Sequence, residues 1–172
     1  MKQRILPLLF ITMMLLSCKE TPTRSCQDIE VNFSPNGGVM PAMIREVDAA
    51  KKTIRIQAYS FTNENLGNAL VAAKNRGVDI EVILDSENTG NPNSLMRLMI
   101  ENNVPVYLDK THAISHNKIL IIDEKVVITG SANLTKAAQE RNAENSLVIK
   151  DAGIATTYTA NWIKHRSHSH TP

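Results

Sequence analysis

Residues 115–135 read SHNKILIIDEKVVITGSANLT. His116 and Lys118 stand two apart at the head of an apolar run, so in a strand both project from one face while Asn117, Ile119 and Ile121 take the other. The run breaks at Asp123-Glu124-Lys125, which reads as a tight turn, and resumes as KVVITG. Two strands, HNKILIID and KVVITG, are therefore expected back to back, followed by a helix from about Leu134 to Arg141. Gly130 lets backbone approach closely, Ser131 brings a hydroxyl, and Asn133 brings an amide. The helix behind them would aim free N–H groups at an anion. A neutral imidazole is a nucleophile or base, an imidazolium is an acid, and an ammonium two residues on can neutralise a phosphate oxygen. The stretch reads as a phosphate-binding end with a reactive imidazole beside it. Taken one at a time, the same residues read as a satisfied core histidine, a surface lysine and a helix cap.

Working outward, IEVNFS from Ile29 alternates as a strand, PNGG turns, and a helix is expected from about Val39 to Lys51. TIRIQAYSF, from Thr53 to Phe61, has the period of a strand. Asn63 is placed to cap a helix in which Leu66, Leu70 and Ala73 recur at helical spacing and which Gly77 ends. VDIEVIL and VPVYLD are further strands, separated by the polar loop DSENTGNPN and by a helix with Leu95, Leu98 and Met99 facing inward. NSLVIK is a last strand and AGIATTYTANWIKHR a closing helix. Strands and helices alternate through the first half. This predicts a single α/β domain over residues 29–172, with a mixed, mostly parallel sheet flanked by helices. The tail HRSHSH, with His165, His168 and His170, reads as a solvated, frayed end rather than a metal site.

The first seventeen residues carry Lys2 and Arg4, then an apolar stretch from Ile5 to Leu16 that is short for a membrane span. They read as a secretory signal, with an uncleaved anchor as the alternative. LLSC, Leu15 to Cys18, resembles the bacterial lipobox, which implies cleavage before Cys18 and lipidation of that cysteine. Residues 18–28 then form a polar tether. The expected location is outside the cytoplasm, in the periplasm or at a membrane as an anchored lipoprotein. Without Lys2 and Arg4, 17 basic side chains face 17 acidic ones, which excludes a global positive field as the means of meeting a polyanion. Lipidation of Cys18 would leave Cys26 single, and a Cys18–Cys26 disulfide is the alternative.

His116-x-Lys118, four residues, Asp123, six residues, then Gly130-Ser131-x-Asn133 resembles the HxK(x)4D(x)6GSxN signature of the phospholipase D superfamily without a departure. AYSFT (58–62), NTG (88–90), LTKAAQERNAENSLVI and the Trp162 helix are similar to the small Nuc-type bacterial endonucleases of that superfamily. The resemblance implies a metal-independent phosphodiesterase needing no cofactor, in which His116 attacks phosphorus and forms a phosphohistidine. Lys118, Ser131 and Asn133 would hold the non-bridging oxygens, and Glu144 would orient the histidine. Asp123, at the turn, and Gly130 are expected to have structural roles. A second imidazole is wanted to protonate the leaving oxygen. With one motif in the chain, the resemblance implies a homodimer whose two motifs share one active site. His112, four residues upstream and outside the signature, is the rival acid within the chain.

The implied substrate is nucleic acid, with Lys51, Lys52, Arg55, Lys74, Arg76, Lys136 and Arg141 as candidates to line a backbone groove. A phospholipid such as cardiolipin or phosphatidylcholine is the alternative. A binding module with a degenerate site is a third reading, against which the intact signature argues. Aromatic residues are only 4% of the chain and no run of them suggests base stacking, so sequence-specific reading is not expected.

Overall fold

The computed structural model describes residues 28–172; the expected signal segment, Cys18, Cys26 and residues 19–27 of the expected tether lie outside them, and Asp28, expected in the tether, opens the first strand. The elements run β1 (Asp28–Ser34), α1 (Val39–Ala49), β2 (Thr53–Ala58), α2 (Glu64–Asn75), β3 (Asp79–Asp85), a 3₁₀ turn (Ser86–Thr89) and α3 (Met96–Glu101). They continue with β4 (Val106–Asp109), β5 (Lys118–Ile122), β6 (Val126–Gly130), α4 (Lys136–Glu140), β7 (Glu144–Lys150) and α5 (Ala152–His168). All seven strands join one sheet in the order β1-β7-β6-β5-β2-β3-β4.

The sheet is mixed, as expected, but the expectation of a mostly parallel one needs correcting. Five strands point the same way, yet only the β2–β3 and β3–β4 pairings are parallel, and the other four are antiparallel. The cause is local. Lys125 N–H donates to the Ile122 carbonyl at 3.0 Å, with Asp123 and Glu124 between them at φ 52° and 55°. A turn that tight can only join antiparallel strands, and this hairpin sits between β2 and β7.

One face of the sheet carries Ile54, Ile56, Val82, Leu84, Leu120, Ile122, Ile128 and Val148 against Met40, Met43 and Val47 of α1 and Leu66, Leu70 and Ala73 of α2. The opposite face carries Ile83, Ile119, Ile121 and Val127, covered by Ala155 and Trp162 of α5. Every residue of β5 is buried, which is why KILII is an unbroken apolar run and not an alternating one. Burying each of these large side chains contributes on the order of 1.5–3 kcal/mol. The indole N–H of Trp162 also donates to the Ile56 carbonyl at 2.9 Å, fixing α5 on β2.

Three local expectations change. Lys118 opens β5, so His116 lies just before the strand rather than in it. The helix after Asn133 has five residues, starts at Lys136, and is capped by Thr135 Oγ1 accepting from Ala138 N–H. It is too short to offer an anion site, and its first turn is already capped by Thr135. The tail is not frayed: α5 extends through His168, and His170 exchanges backbone hydrogen bonds of 2.7 and 3.1 Å with Leu108. Asn63 caps α2 as expected, its side chain accepting from Leu66 N–H.

Strand direction places the site. The C-terminal ends of β1, β2, β3, β4 and β6 and the N-terminal ends of β5 and β7 share one end of the sheet.

Candidate active site

The segment from residue 110 to 117 crosses from the end of β4, over β3 and β2, to the start of β5. It is pinned where it passes. The buried Asp85 carboxylate accepts Ser115 N–H at 2.7 Å, the buried Gln57 amide reaches Ser115 Oγ at 3.4 Å, and Tyr59 N–H donates to the Asn117 carbonyl at 3.0 Å. His116 is held between these anchors with its side chain exposed. Its ring lies 4.9 Å from that of Tyr59, tilted by 54°, and has no hydrogen-bond partner among the described residues. Tyr59 is itself fixed by donating to Glu87 Oε2 at 2.6 Å, which pushes its hydroxyl pKa up.

Lys118 is buried at the first position of β5, opposite Ala58 of β2. Its ammonium donates to the His116 carbonyl at 2.7 Å and lies 5.3 Å from the centre of the Tyr59 ring. Burial lowers its pKa, partly opposed by the negative charge of Glu144.

Gly130 closes β6 where the backbone of β7 presses against it. A Cβ there would lie 2.3 Å from the Asn145 carbonyl oxygen, so no side chain fits. The same carbonyl accepts Ser131 N–H at 3.1 Å and Ala132 N–H at 3.3 Å. Ser131 Oγ donates to Glu144 Oε2 at 2.6 Å and accepts Asn145 N–H at 3.1 Å. Leu134 is tied to the end of β2, donating to Ser60 and accepting from Thr62 and Asn63. Between these anchors, the Asn133 amide oxygen is buried with no hydrogen-bond partner among the described residues. An unpaired buried acceptor costs roughly 1–3 kcal/mol, and phosphate oxygens, which only accept, would be met by the NH2 of the same amide and not by this oxygen.

Thus His116, Lys118, Gly130, Ser131, Asn133 and Glu144 gather at one end of the sheet. Glu144 sits with its oxygens on Ser131 and on the Asn142 amide at 3.1 Å, and none of its hydrogen bonds reaches His116. Asp123 is at the other end of β5, about 16 Å along the strand from Lys118. There its carboxylate accepts the backbone N–H groups of Lys51, Lys52 and Thr53 at 2.7–2.9 Å. His112 does not turn toward the site, its Nδ1 being 3.0 Å from Asp109 Oδ2.

The candidate basic groove is also corrected. Lys51, Lys52 and Arg55 precede or open β2, and Lys74 and Arg76 end α2, all toward the end of the sheet opposite His116. Arg55 is paired with Asp79 and Glu81, and Arg76 with the carbonyls of Val47 and Asp48. Of the seven candidates, Lys136 and Arg141 flank the site, at the two ends of α4.

Residues 43–165 match the family model described as Cardiolipin synthase, PLD-like domain. The chain belongs to the phospholipase D superfamily. It is 37% identical over 137 residues to the Phospholipase D of Rickettsia bellii, covering 80% of this chain and 68% of that one. It is 32% identical over 109 residues to the Mitochondrial cardiolipin hydrolase of Mus musculus, covering 63% of this chain and 49% of the mouse protein. The crystal structure of Nuc from Salmonella typhimurium, a phospholipase D family member, superposes with a TM-score of 0.81 at 33% identity, over 85% of this chain and 98% of that one. NucT from Helicobacter pylori, at 23% identity and a TM-score of 0.78, shares the fold.

This phospholipase D superfamily member is a phosphoric diester hydrolase, and its sequence signature accounts for only part of the site. Tyr59, Asp85, Gln57 and Ser115 shape the presentation of His116 but lie outside the signature. Tyr59 lies in the AYSFT stretch already noted, and position adds a second signal: Tyr59 and Asp85 stand at strand ends, where α/β enzymes place functional groups.

Proposed function

We propose that this phosphodiesterase is an endonuclease of low sequence preference that acts as a homodimer through a phosphohistidine intermediate. The observation that carries this reading is the solitary imidazole. His116 stands beside Lys118 with no hydrogen-bond partner on its ring among the described residues, and His112 is taken up by Asp109. His116 has the freedom of a nucleophile but no acid beside it. In the dimer, His116 of one subunit attacks phosphorus as the P–O bond to the leaving oxygen breaks. His116 of the partner subunit gives that oxygen its proton. It then takes a proton from water as the water cleaves the phosphohistidine, restoring both rings. Lys118 and Asn133 of each subunit face the non-bridging oxygens, and Ser131 is held beside them by Glu144.

Support for the dimer comes from edge strand β1, whose Ile29, Val31 and Phe33 are 48%, 54% and 63% exposed on one face. In register, Phe33 stands opposite Asn145, so the apolar stripe runs up to the site. A second copy related by a two-fold axis would cover the stripe and set the two sites together.

A polynucleotide suits the open, polar rim. The adjoining cleft is lined by Tyr59, Ser60, Glu87, Asn88 and Asn91, without an apolar channel for acyl chains. A lipid reading has one observation of its own: Ile114, two residues before His116, is 54% exposed. Supercoiled plasmid, single-stranded RNA, and cardiolipin and phosphatidylcholine vesicles, each with excess chelator, decide between them. Nicked circles or cleaved RNA with intact lipid are expected. Lipid hydrolysis with untouched polynucleotide would overturn the nuclease reading, and failure to trap acid-labile phosphate on His116 would overturn the intermediate.

A further inference from the structure

Four side chains that the phosphodiester chemistry does not use converge at the β4 edge of the sheet. Asp109 ends β4 and is fully buried, and His112 follows it by three residues. His165 and His168 lie in the last turn of α5, also three apart, so they share one side of the helix. Asp109 Oδ2 is 2.9 Å from His165 Nδ1, 3.0 Å from His112 Nδ1 and 3.5 Å from His168 Nε2. One donor atom from each of the four residues lies within 4.8 Å of every other.

The bland account is a buried carboxylate neutralised by histidine hydrogen bonds. It covers His165 and His112 and fails at His168, whose Nε2 is sealed from solvent without a hydrogen-bond partner among the described residues. A sealed ring nitrogen that makes no hydrogen bond yet stands 3.5 Å from a carboxylate already flanked by two imidazoles is what a missing cation leaves behind. Three imidazoles and one carboxylate form a borderline-soft donor set that suits zinc and not magnesium or calcium. Tetrahedral bonds of about 2.0–2.1 Å put ligand atoms roughly 3.3 Å apart. That is close to the 2.9–3.5 Å that separate Asp109 Oδ2 from the three ring nitrogens, so the carboxylate contacts shift little while donor atoms as far apart as 4.8 Å draw together around the ion.

We propose that Asp109, His112, His165 and His168 bind one divalent transition-metal ion of the zinc class. Four protein donors fill a tetrahedron and leave no open position, so the ion is structural. It takes no part in phosphodiester cleavage. It joins the C-terminal end of α5 to β4, and through His112 it anchors the start of the segment that carries Ser115 and His116. The half-exposed His112 provides the entry path.

The test uses the folded chain with a tag free of histidine, stripped with chelator and titrated with Zn²⁺. Metal content, thermal melting and the visible spectrum of the Co²⁺-substituted protein are the readouts. One ion per chain is expected, with a tetrahedral Co²⁺ spectrum and a melting temperature raised by roughly 5–10 °C when free Zn²⁺ is 100-fold above its Kd. His165→Ala and His168→Ala should each lose the bound ion and the thermal shift. His112→Ala, in an exposed segment, serves if a helix variant fails to fold. His170→Ala, on the same tail but outside the cluster, should keep both. Absence of tight Zn²⁺ binding, retention by His168→Ala, or loss in His170→Ala (the signature of a merely histidine-rich tail) would each overturn the site.

Discussion

The Lys118 ammonium donates to the carbonyl oxygen of His116 across 2.7 Å. One cation therefore fixes the backbone that carries the proposed nucleophile while keeping two protons for a phosphate. Holding that charge in a buried position lowers the lysine pKa, against the pull of Glu144. Lys118→Met should cut kcat about 10²–10³-fold, as removal of one charge-stabilising donor does. The melting temperature should hold or rise, because a desolvated charge is gone. The protonated form is the active one, so wild-type activity should fall on the alkaline side below the ordinary lysine value of about 10.4. A limb at or above that value, or a marked loss of stability in Lys118→Met, would contradict this account.

Glu144 acts on Ser131, whose hydroxyl it receives at 2.6 Å, and within the chain it does not touch His116. If it positions the hydroxyl, Ser131→Ala and Glu144→Gln should each lower kcat roughly 10-fold, and the double variant should be little worse than either alone, as for residues that act as a unit. If it orients the imidazole of the partner subunit instead, Glu144→Gln should shift the acid limb of the pH profile and the two losses should multiply. A double-mutant cycle with full pH profiles separates the two roles.

The gathering of the signature residues was legible because identity and spacing act together. Two strands joined by a minimal turn bring His116-x-Lys118 and Gly130-Ser131-x-Asn133 to the same sheet end whatever surrounds them. What crosses the chain was not legible. Tyr59 and Asp85 meet His116 and Ser115 only because β2 and β3 run parallel and end together. The lysines and arginines around β2 and α2 looked available for a groove until strand direction placed them at the far end. His165 and His168 read as part of a solvated tail, because Asp109, which His165 meets, lies 56 residues away. Joining them requires knowing that α5 runs back across the sheet to β4.

The proposed shared site makes subunit mixing informative. His116→Asn homodimers should be inactive, and heterodimers with wild type should fall at least about 10²-fold, since each site then lacks either nucleophile or acid. Separately tagged subunits, co-expressed and purified as heterodimers, allow the measurement. Heterodimers with half or more of the wild-type rate would show that each chain works alone. Phe33→Asp, on the exposed stripe of β1, should yield monomers that remain folded and lose activity as His116→Asn does.

Asp123 closes the β5–β6 turn and receives three backbone N–H groups from the start of β2, so its charge stabilises the fold far from the chemistry. Burial raises its pKa, but these hydrogen bonds outweigh burial and hold it below the ordinary carboxylate value. A carboxyl group whose folded pKa is depressed contributes stability that is present above its unfolded pKa, about 3.9, and is lost as pH falls through the folded value. Asp123→Asn suits the test because asparagine tolerates the positive φ of 52° at this position. Losing charge-assisted bonds worth roughly 1.5–3 kcal/mol each should lower the melting temperature at pH 7 by at least about 3–10 °C. The activity of the folded fraction should change less than twofold. The gap between variant and wild type should be constant from pH 7 to 5 and narrow below pH 4, as the wild-type carboxylate takes up its proton. A gap that widens on acidification would place the stabilising charge on another group.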